Sequence, residues 1–269
     1  MSMNSFHARA TRTKAKAAAR PVAHAGVRAD ALLVRLGLAA SRSVAQRLIE
    51  AGRVRCEDRP IDKPSLLLAE TARLSVAEDA SSDFVSRGGD KLAGALRYTG
   101  LDVRGRLCLD VGQSTGGFTD CLLRHGAAHV LGVDVGHGQL APRLRADARV
   151  TCLEGVNARE LRKSVPPARR FDLIVADVSF ISLTLILPEL PPLWAPQGEM
   201  LLLVKPQFEV GPQGLGKGGI VRDAALYAEV EDKLRAASRA AGLRVRDWFE
   251  SPITGGDGNR EFFLWTSHD

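Results

Sequence analysis

Between residues 107 and 205, short apolar runs alternate with helical stretches, and this alternation limits the fold more than any other feature of the chain. Strands buried on both faces and separated by helices form a parallel sheet that is covered by helices on both sides. The sequence therefore predicts an α/β fold with a doubly wound sheet. The predicted strands are residues 107–109, 129–135, 150–153, 171–178 and 200–205.

The end of the chain departs from this pattern. A predicted helix at 223–241, with Asp223 as a plausible cap, precedes two further strands at 243–249 and 261–266. The connection between those two strands is too short for a helical crossover, so we expect them to be antiparallel. A parallel sheet that ends in an antiparallel hairpin is the shape of a class I (Rossmann-like) methyltransferase, although periodicity indicates only the doubly wound part.

A small α+β unit precedes this sheet. Leu32, Leu33 and Leu36 have helical spacing, a second helix opens near Ser41 and stops at Gly52, and short strands follow at 53–56 and 72–76. Small polar residues at 77–85 indicate a linker. We therefore expect an arm at 1–27, the small domain at 28–76, the linker at 77–85 and the large domain at 86–269.

The basic excess of the chain is concentrated in the arm. Six of the 37 Lys and Arg residues, and none of the 31 acidic residues, lie within 1–29, so that segment accounts for the net charge of +6. No apolar core of a secretory signal is present. The composition of the arm resembles the start of a mitochondrial transit peptide. We favour two alternatives: a flexible tail that binds a polyanion, or a solvated end with no specific function.

Composition excludes several classes of protein. The hydrophobic fraction of 45% and charged fraction of 25% are those of a soluble globular chain. No apolar run approaches the roughly 18 residues of a membrane-spanning helix. The four cysteines form no C-x-x-C pair, so we expect reduced thiols, no disulfide and no metal in a cytoplasmic protein. His125, His129 and His137 are close in sequence, but their spacing does not indicate a converging metal site.

Three nucleotide-binding motifs compete in the large domain. The turn at 110–117 lacks the second glycine of G-x-G-x-x-G, because Ser114 stands there, and this disfavours a dinucleotide. The stretch 211–217 is one residue short of a P-loop, because Gly218 replaces the Ser or Thr that would hold Mg²⁺. We interpret that stretch as a mobile loop beside the site. What remains is a strand that ends in an acid, then a Gly/Ser turn, then a helix.

The remaining turn suits a ligand without phosphate. Asp110 is available for a cationic or amino group, and Asp134, at the end of the next strand, is placed to accept hydrogen bonds from a ribose diol. S-adenosylmethionine carries an amino acid and a ribose but no phosphate, so it fits this chemistry. The alternative is a capped tight turn with a solvated Asp.

The small domain resembles the alpha-L RNA-binding module of small-subunit ribosomal protein four and of pseudouridine synthases. The match consists of Arg28, Asp30, Leu33, Gly37-Leu38, Ser41-Arg42 and Ala45, followed by Ile49, Gly52 and Val54. The resemblance implies contact with RNA, and a purely structural use of these residues is the alternative. The implied RNA-binding residues are Arg28, Ser41, Arg42, Gln46 and Lys63, together with Arg87 of the large domain.

Six motifs of the large domain resemble the TlyA family of ribosomal RNA methyltransferases. They are Ser86-Arg87-Gly88-Gly89-x-Lys91-Leu92, Asp110-x-Gly112-x-Ser114 through Thr119, Asp134-Val135-Gly136-x-Gly138-Gln139-Leu140, Ala176-Asp177-x-Ser179-Phe180, Val204-Lys205-Pro206-Gln207-Phe208-Glu209 and Gly258-Asn259-x-Glu261-Phe262. The match runs in unbroken order. It implies an FtsJ-like domain that transfers methyl from S-adenosylmethionine to the ribose 2′-hydroxyl of ribosomal RNA, typically at cytidine. Many members are labelled hemolysin.

The resemblance also implies the site residues. The catalytic set is Lys91, Asp177, Lys205 and Glu261. Asp177 and Lys205 follow parallel strands and Glu261 begins an antiparallel one, so all three face the edge where open α/β sheets bind ligands. The alternative is four unrelated surface ion-pair residues. The implied cofactor-binding residues are Asp110, Gly112, Ser114, Thr115, Gly116, Gly117, Phe118, Asp134, Asn157 and Asp177.

The sequence departs from the family at Gln113, where a small residue is usual, and its bulk could alter how the methionine end is held. In the implied chemistry Lys205 acts as base or alkoxide stabiliser, Asp177 orients it, and Lys91 and Glu261 position the ribose. Phe180 or Phe208 could stack a flipped base. The alternative functions are an RNA-binding or hemolysin-like, membrane-active factor with an inactive methyltransferase domain and, more remotely, a small-molecule methyltransferase.

Overall fold

The computed structural model describes residues 26–39, 42–50, 52–57, 59–76, 84–166, 169–256 and 258–267. Residues 1–25 of the predicted arm, residues 77–83 of the predicted linker and Ser41 lie outside these ranges. Statements about the structure below refer to the described residues.

The N-terminal unit packs two helices against short strands. Its helices are α1 (Ala29–Arg35) and α2 (Arg42–Glu50). The strand pair β1 (Val27–Arg28) and β4 (Leu67–Leu68) is antiparallel, as is the three-stranded sheet of β2 (Val54–Cys56), β3 (Arg59–Pro60) and β5 (Leu74–Val76). Its apolar core consists of small or aliphatic side chains: Ala29, Leu33, Ala39, Ala45, Ile49, Val54 and Ile61. Both predicted helices and both predicted strands are present.

The larger unit is built on a seven-stranded sheet. Its strands are β6 (Leu107–Val111), β7 (His129–Asp134), β8 (Val150–Glu154), β9 (Phe171–Ala176), β10 (Trp194–Val204), β11 (Arg244–Glu250) and β12 (Phe262–Ser267), in the order β11-β12-β10-β9-β6-β7-β8. The first five strands are parallel, and β12 is antiparallel to both β10 and β11. The predicted sheet and its antiparallel end are confirmed.

Helices cover both faces of this sheet. They are α3 (Arg87–Thr99), α4 (Gly117–Arg124), α5 (Pro142–Arg145), α6 (Leu161–Ser164) and α7 (Ala225–Ala240). Alternate residues of β6 enter different cores: Leu109 joins the cluster with Leu234 of α7, whereas Cys108 joins the cluster with Leu92 of α3. The strands are therefore apolar on both faces because each face packs against helices.

Several predicted boundaries are displaced by one or two residues, whereas the start of β10 is displaced by six. Strand β10 begins at Trp194 rather than at residue 200, because Trp194 pairs with Phe171 before an irregularity that extends to Glu199. Its early part contains Pro196, Gln197 and Gly198, so no apolar run marks it in the sequence. Helix α7 begins at Ala225, and Asp223 Oδ1 accepts a hydrogen bond from the Ala225 amide at 2.9 Å.

Candidate active site

The carboxyl ends of β6, β7, β9 and β10 lie at one edge of the sheet, and the predicted site residues follow them. Asp110 is in β6, Asp134 ends β7, Asp177 follows β9 and Lys205 follows β10. Because β12 runs in the opposite direction, Glu261 enters from the same edge. Lys91 reaches it from the first turns of α3.

The glycine turn after β6 is held by close packing. A Cβ on Gly112, whose φ is +85°, would lie 2.5 Å from the Asp177 carbonyl oxygen, and a Cβ on Gly116 would lie 2.4 Å from Leu144 Cδ1. The first contact is with backbone, whereas the second would require the Leu144 side chain to shift. Both positions have the left-handed backbone that favours glycine. Ser114 between them also has a positive φ of 47°. The turn thus brings backbone close to the Asp177 loop.

Asp134 organises the two loops on either side of it. Its Oδ2 accepts a hydrogen bond from the Ser114 amide at 2.7 Å and its Oδ1 accepts one from the Gly136 amide at 2.7 Å. Ser114 Oγ in turn donates to Gln139 Oε1 at 3.0 Å. Each carboxylate oxygen has two lone pairs, so Asp134 retains acceptor capacity for a diol.

Asp110 is enclosed rather than presented to solvent. It is 1% exposed, and its Oδ2 accepts a hydrogen bond from Thr119 Oγ1 at 2.7 Å. Burial, with Asp177 and Asp134 nearby, raises the pKa of Asp110 to about 7, although the Thr119 hydrogen bond opposes the shift. Its Oδ1 has no hydrogen-bond partner among the described residues. An unpaired buried carboxylate oxygen beside a glycine turn fits a ligand that carries an amino group.

The unusual Gln113 packs inside the protein. It is 3% exposed, and its Nε2 donates to Thr119 Oγ1 at 2.8 Å. A Cβ on Gly132 of β7 would lie 2.0 Å from the Gln113 side-chain amide. The absence of a side chain at Gly132 therefore makes room for the bulk of Gln113. An effect on cofactor affinity stays a prediction.

Lys91, Asp177, Lys205 and Glu261 form two ion pairs. Lys91 Nζ lies 2.5 Å from Glu261 Oε2, and Lys205 Nζ lies 2.6 Å from Asp177 Oδ1. Lys205 Nζ also donates to Ser179 Oγ at 2.8 Å. The Lys91 and Glu261 side chains are 10% and 3% exposed, while those of Lys205 and Asp177 are 13% and 22% exposed. The second pair is therefore the one more open to solvent.

The two pairs interact electrostatically. Burial raises the pKa of Glu261, and the positive charges of Lys91 and Lys205 oppose this shift, whereas the negative charge of Asp177 adds to it. Two cations and two carboxylates give a cluster without net charge, which lowers the cost of holding charge away from water. Such a cluster can orient a hydroxyl group and respond to charge that develops on its oxygen.

Other predicted cofactor residues have mixed positions. Gly117 packs against α3, because a Cβ there would lie 2.2 Å from Ser86 Oγ. Phe118 is 3% exposed and stacks with Phe263 at 6.3 Å between ring centroids, so it contributes to the core. Asn157 is exposed and accepts a hydrogen bond from the Arg159 amide at 3.0 Å. The Thr115 carbonyl accepts one from the Ala141 amide at 3.2 Å.

Sequence reasoning gave no role to several residues at this edge. Ser179 contacts Lys205, and Val135, which follows Asp134, is 72% exposed. Glu209 accepts hydrogen bonds from the Ser182 hydroxyl at 2.6 Å and from the Leu183 amide at 2.7 Å. Ser179, Val135 and Glu209 lie within the motifs quoted above or directly beside a predicted site residue. Their position in the sequence is therefore the feature that could have indicated a place at the site.

The predicted RNA-binding residues of the N-terminal unit surround a buried acid. Asp30 accepts hydrogen bonds from Arg28 Nε at 3.1 Å, Arg42 Nη2 at 3.0 Å and Gln46 Nε2 at 2.9 Å. The Arg28 guanidinium holds the pKa of Asp30 well below its usual range. The Arg28 and Arg42 side chains are 42% and 57% exposed, so they remain accessible from outside.

The other predicted RNA contacts are separate from this cluster. Lys63 is exposed, and Arg87 Nη2 donates to the Thr254 carbonyl at 2.9 Å. Two of the three histidines that are close in sequence have local partners: His125 Nδ1 lies 2.8 Å from the Cys121 carbonyl, and His129 Nε2 lies 3.0 Å from Thr151 Oγ1. The described residues contain no group of three side chains suited to a metal ion.

None of the helices within the described ranges is long and apolar enough to cross a bilayer.

Two family models match the chain. The FtsJ-like methyltransferase model matches residues 84–268, and the S4 domain model matches residues 27–74. The chain is 48% identical over 238 residues to the 16S/23S rRNA (cytidine-2'-O)-methyltransferase TlyA of Mycobacterium tuberculosis, covering 88% of each chain. It is 38% identical to Hemolysin A of Brachyspira hyodysenteriae, covering 84% of this chain and 93% of that one.

Solved structures have the same architecture. A putative hemolysin from Streptococcus thermophilus superposes with a TM-score of 0.68 at 37% identity, covering 92% of this chain and 90% of that one. A putative S-adenosylmethionine dependent methyltransferase from Listeria monocytogenes superposes with a TM-score of 0.51 at 12% identity, covering 68% of this chain and 100% of that one. At that identity the second likeness concerns the fold alone.

Proposed function

Since this chain belongs to the TlyA family of FtsJ-like methyltransferases, we propose that it transfers a methyl group from S-adenosylmethionine to the 2′-hydroxyl of a cytidine in ribosomal RNA. The observation that carries the proposal is the pair of ion pairs, Lys91 with Glu261 and Lys205 with Asp177, at the sheet edge that also carries the glycine turn. Ribosomal RNA as substrate implies a cytoplasmic protein.

The cofactor would be held by the glycine turn and the carboxylates around it. S-adenosylmethionine supplies an electrophilic methyl group when it is bound. Asp134 has acceptor capacity for the ribose diol, and Asp110 has an unpaired oxygen for an amino group. The full set assigned to the cofactor is Asp110, Gly112, Ser114, Thr115, Gly116, Gly117, Phe118, Asp134, Asn157 and Asp177.

Lys205 is the residue that we assign to the reacting oxygen. A ribose hydroxyl is a poor nucleophile, so it needs in-line placement and either a base or a partner for the developing alkoxide. A lysine ammonium has three N–H donors. In the structure Lys205 Nζ donates one of them to Ser179 Oγ and forms an ion pair with Asp177, so a further N–H can donate to the ribose oxygen. As a neutral amine, Lys205 would instead accept the hydroxyl proton.

The remaining members of the cluster position the substrate. Lys91 and Glu261 form the more enclosed pair, which suits them to fix the ribose and to tune the charge of Lys205 and Asp177. Phe180 is 86% exposed, has a positive φ of 64° and lies 5.0 Å from the ring of Phe208. An exposed aromatic side chain at this edge is available to stack on an unstacked base.

RNA recognition is assigned to the N-terminal unit together with residues near the site. Asp30 holds Arg28, Arg42 and Gln46 in one cluster while leaving the two guanidinium groups accessible. Lys63 and Arg87 extend this set. We place the domains at 28–76 and 86–269, with an arm at 1–27 and a linker at 77–85.

The proposal is tested by calorimetric binding of S-adenosylmethionine followed by methyl transfer to naked ribosomal RNA, free subunits and whole ribosomes. We expect cofactor binding and transfer to at least one substrate. Binding of RNA without any transfer would instead support the alternative of an inactive methyltransferase domain in an RNA-binding or hemolysin-like factor.

Substitutions of Lys205 test its assignment. We expect Lys205→Ala to reduce transfer by at least about 100-fold, because one positioned acid–base or electrostatic group contributes about that much. Cofactor affinity should be unchanged. Lys205→Arg keeps the charge but cannot act as a base, so residual transfer by that variant separates the two roles. Near wild-type transfer by Lys205→Ala would disprove the assignment.

A further inference from the structure

The glycine-rich stretch after Lys205 has no role in the function proposed above. This glycine loop (residues 211–222) lies between the end of β10 and α7, and it contains the incomplete P-loop at 211–217. It folds back on itself: Leu215 and Val221 form an antiparallel bridge, and the Gly216 amide donates to the Ile220 carbonyl at 2.7 Å. The loop therefore has a defined shape.

A buried asparagine fastens the glycine loop beside the ion-pair cluster. Asn259 is 1% exposed; its Oδ1 accepts a hydrogen bond from the Val221 amide at 3.0 Å and its Nδ2 donates to the Gly219 carbonyl at 3.0 Å. Glu261 follows two residues later, a distance of about 7 Å at most along the chain. The far side of the glycine loop is thus held close to Glu261.

The glycine loop carries two cations that have no acidic partner. Lys217 and Arg222 are both exposed, and across the described ranges neither forms an ion pair. By contrast, Lys205 pairs with Asp177, and Lys233 pairs with Glu209. The adjacent acid, Asp223, accepts a hydrogen bond from the Ala225 amide of α7 at 2.9 Å. Within the described ranges, the positive charge of the glycine loop is therefore not neutralised by an ion pair.

The surface around these cations is open, because two of the neighbouring residues are glycines. Gly218 and Gly219 have φ values of +76° and +78°, and a Cβ at either position would meet nothing within 4 Å. Glycine is thus required at these two positions by the backbone conformation rather than by packing. Arg222 lies over Gly216, where a Cβ would be 3.3 Å from Arg222 Cγ. A polyanion can approach the backbone at Gly218 and Gly219 without a steric barrier.

We propose that the glycine loop binds the phosphate backbone of the RNA next to the modified nucleotide, with Lys217 and Arg222 as its phosphate ligands and Asn259 as the positioning residue. The inference rests on the proposed function, which brings an RNA strand to this edge. Lys and Arg contacts to phosphate orient a nucleic acid without reading its sequence. The glycine loop would therefore fix the register of the strand relative to Lys205.

The test uses full-length protein with both cations removed, Lys217→Ala together with Arg222→Ala. Each lost contact to single-stranded RNA makes the slope of log K against log salt less steep by about 0.7, so we expect a change of about 1.4. The Kd for a ribosomal RNA fragment should rise about tenfold at about 0.1 M salt. Cofactor affinity should be unchanged.

The matched control is Arg239→Ala. Arg239 is an exposed cation near the end of α7, on the opposite edge of the sheet. If the double variant and this control bind RNA with the same Kd and the same salt slope as wild type, the inference is wrong. Methyl transfer by the wild-type protein is measured in the same experiment. If the wild type transfers methyl, the proposed function stands even when the inference about the glycine loop fails; if it does not, the proposed function itself is overturned.

Asn259→Asp tests the positioning role, since it keeps the acceptor for Val221 but loses the donor to Gly219. We expect a higher KM for RNA and unchanged cofactor affinity. Adding Lys217→Ala should have little further effect on KM, because both substitutions would remove the same contact with phosphate. Additive losses in RNA affinity, or a lower melting temperature with no change in KM, would show that Asn259 is merely structural and would overturn its assignment.

Discussion

At the scale of single residues, the enclosure of Asp110 is the feature with the clearest energetic consequence. Its carboxylate is 1% exposed and accepts a hydrogen bond from the Thr119 hydroxyl, which in turn accepts one from Gln113. Burial disfavours the charged form, and Asp177 and Asp134 add repulsion. The residue therefore takes up a proton more readily in the folded chain than in the unfolded chain.

This enclosure predicts how stability depends on pH. Because the pKa of Asp110 is about 7 in the folded chain and ordinarily 3.8, its contribution to the free energy of unfolding is fully present below about pH 4 and is lost as pH rises toward 7. The shift corresponds to roughly 4 kcal/mol. Asp110→Asn should remove this loss, so the free energy of unfolding of the variant, relative to wild type, should rise between pH 4 and 7.

Chemical denaturation at several pH values measures the difference. Asp102→Asn is the control, because Asp102 lies on the surface and its Arg104 neighbour lowers its pKa to about 2, which places its transition below that range. A difference between Asp110→Asn and wild type that stays constant from pH 4 to 7 would show that Asp110 titrates normally.

At the scale of elements, one buried carboxylate joins two loops to a helix. Glu209 follows Lys205 and accepts hydrogen bonds from Ser182 and Leu183, which follow Asp177. Lys233 of α7 donates to the Glu209 carboxylate at 2.7 Å and to its carbonyl at 3.0 Å. The same two loops carry Phe180 and Phe208. Glu209 thus connects the two loops that carry the Asp177–Lys205 ion pair.

Removal of this connection should weaken both the fold and the reaction. Glu209→Ala leaves the Leu183 amide without its acceptor and a lysine without its partner, so we expect a loss of about 2–4 kcal/mol in the free energy of unfolding. Glu209→Gln retains one acceptor oxygen and should cost less. Methyl transfer should decrease in the same order. We expect the decrease in kcat, with little change in cofactor affinity.

Urea unfolding and single-turnover transfer measure these effects. Glu231→Ala is the matched control, since Glu231 pairs with Arg235 on the outer part of α7 and such pairs contribute less than about 1 kcal/mol. Equal stability of Glu209→Ala and Glu231→Ala would contradict the role of Glu209 as a connector.

At the scale of the whole molecule, the cluster around Asp30 that we propose to bind RNA and the cluster that we propose to react lie in different units. The S4 model covers 27–74 and the FtsJ-like model covers 84–268, so the Asp30 cluster and the ion-pair cluster belong to separate families of domain. Neither cluster contains residues of the other. This division predicts that substitutions in the first unit change RNA binding and leave the reaction itself unaltered.

Arg28→Ala together with Arg42→Ala tests that division. We expect KM for the RNA substrate to rise about tenfold at about 0.1 M salt, because two phosphate contacts are lost. The kcat at saturating RNA and the affinity for S-adenosylmethionine should not change. Arg35→Ala is the control, since Arg35 is exposed and pairs with the equally exposed Glu70. A fall in kcat without a change in KM would contradict the division.

Much of the architecture could be predicted because it depends on periodicity. Apolar runs separated by helices indicate a parallel sheet wherever they occur, and acids that follow such strands meet at one edge. The order of motifs from Ser86 to Glu261 was sufficient to identify the family, and the short connection before β12 was sufficient to predict its direction. None of these inferences requires a distance between side chains.

Pairing and burial could not be read in this way, because they depend on packing between segments that are far apart in the chain. Periodicity does not state that Lys91 pairs with Glu261 while Lys205 pairs with Asp177, or that Asp30 draws Arg28, Arg42 and Gln46 together. The enclosure of Asp110 and the space above Gly132 for Gln113 likewise arise where β6, β7 and α4 pack. Residue order determined the fold and predicted which edge of the sheet carries the site. The tertiary structure decided which charge pairs with which, because electrostatic energy depends on distance in space and on exclusion of water.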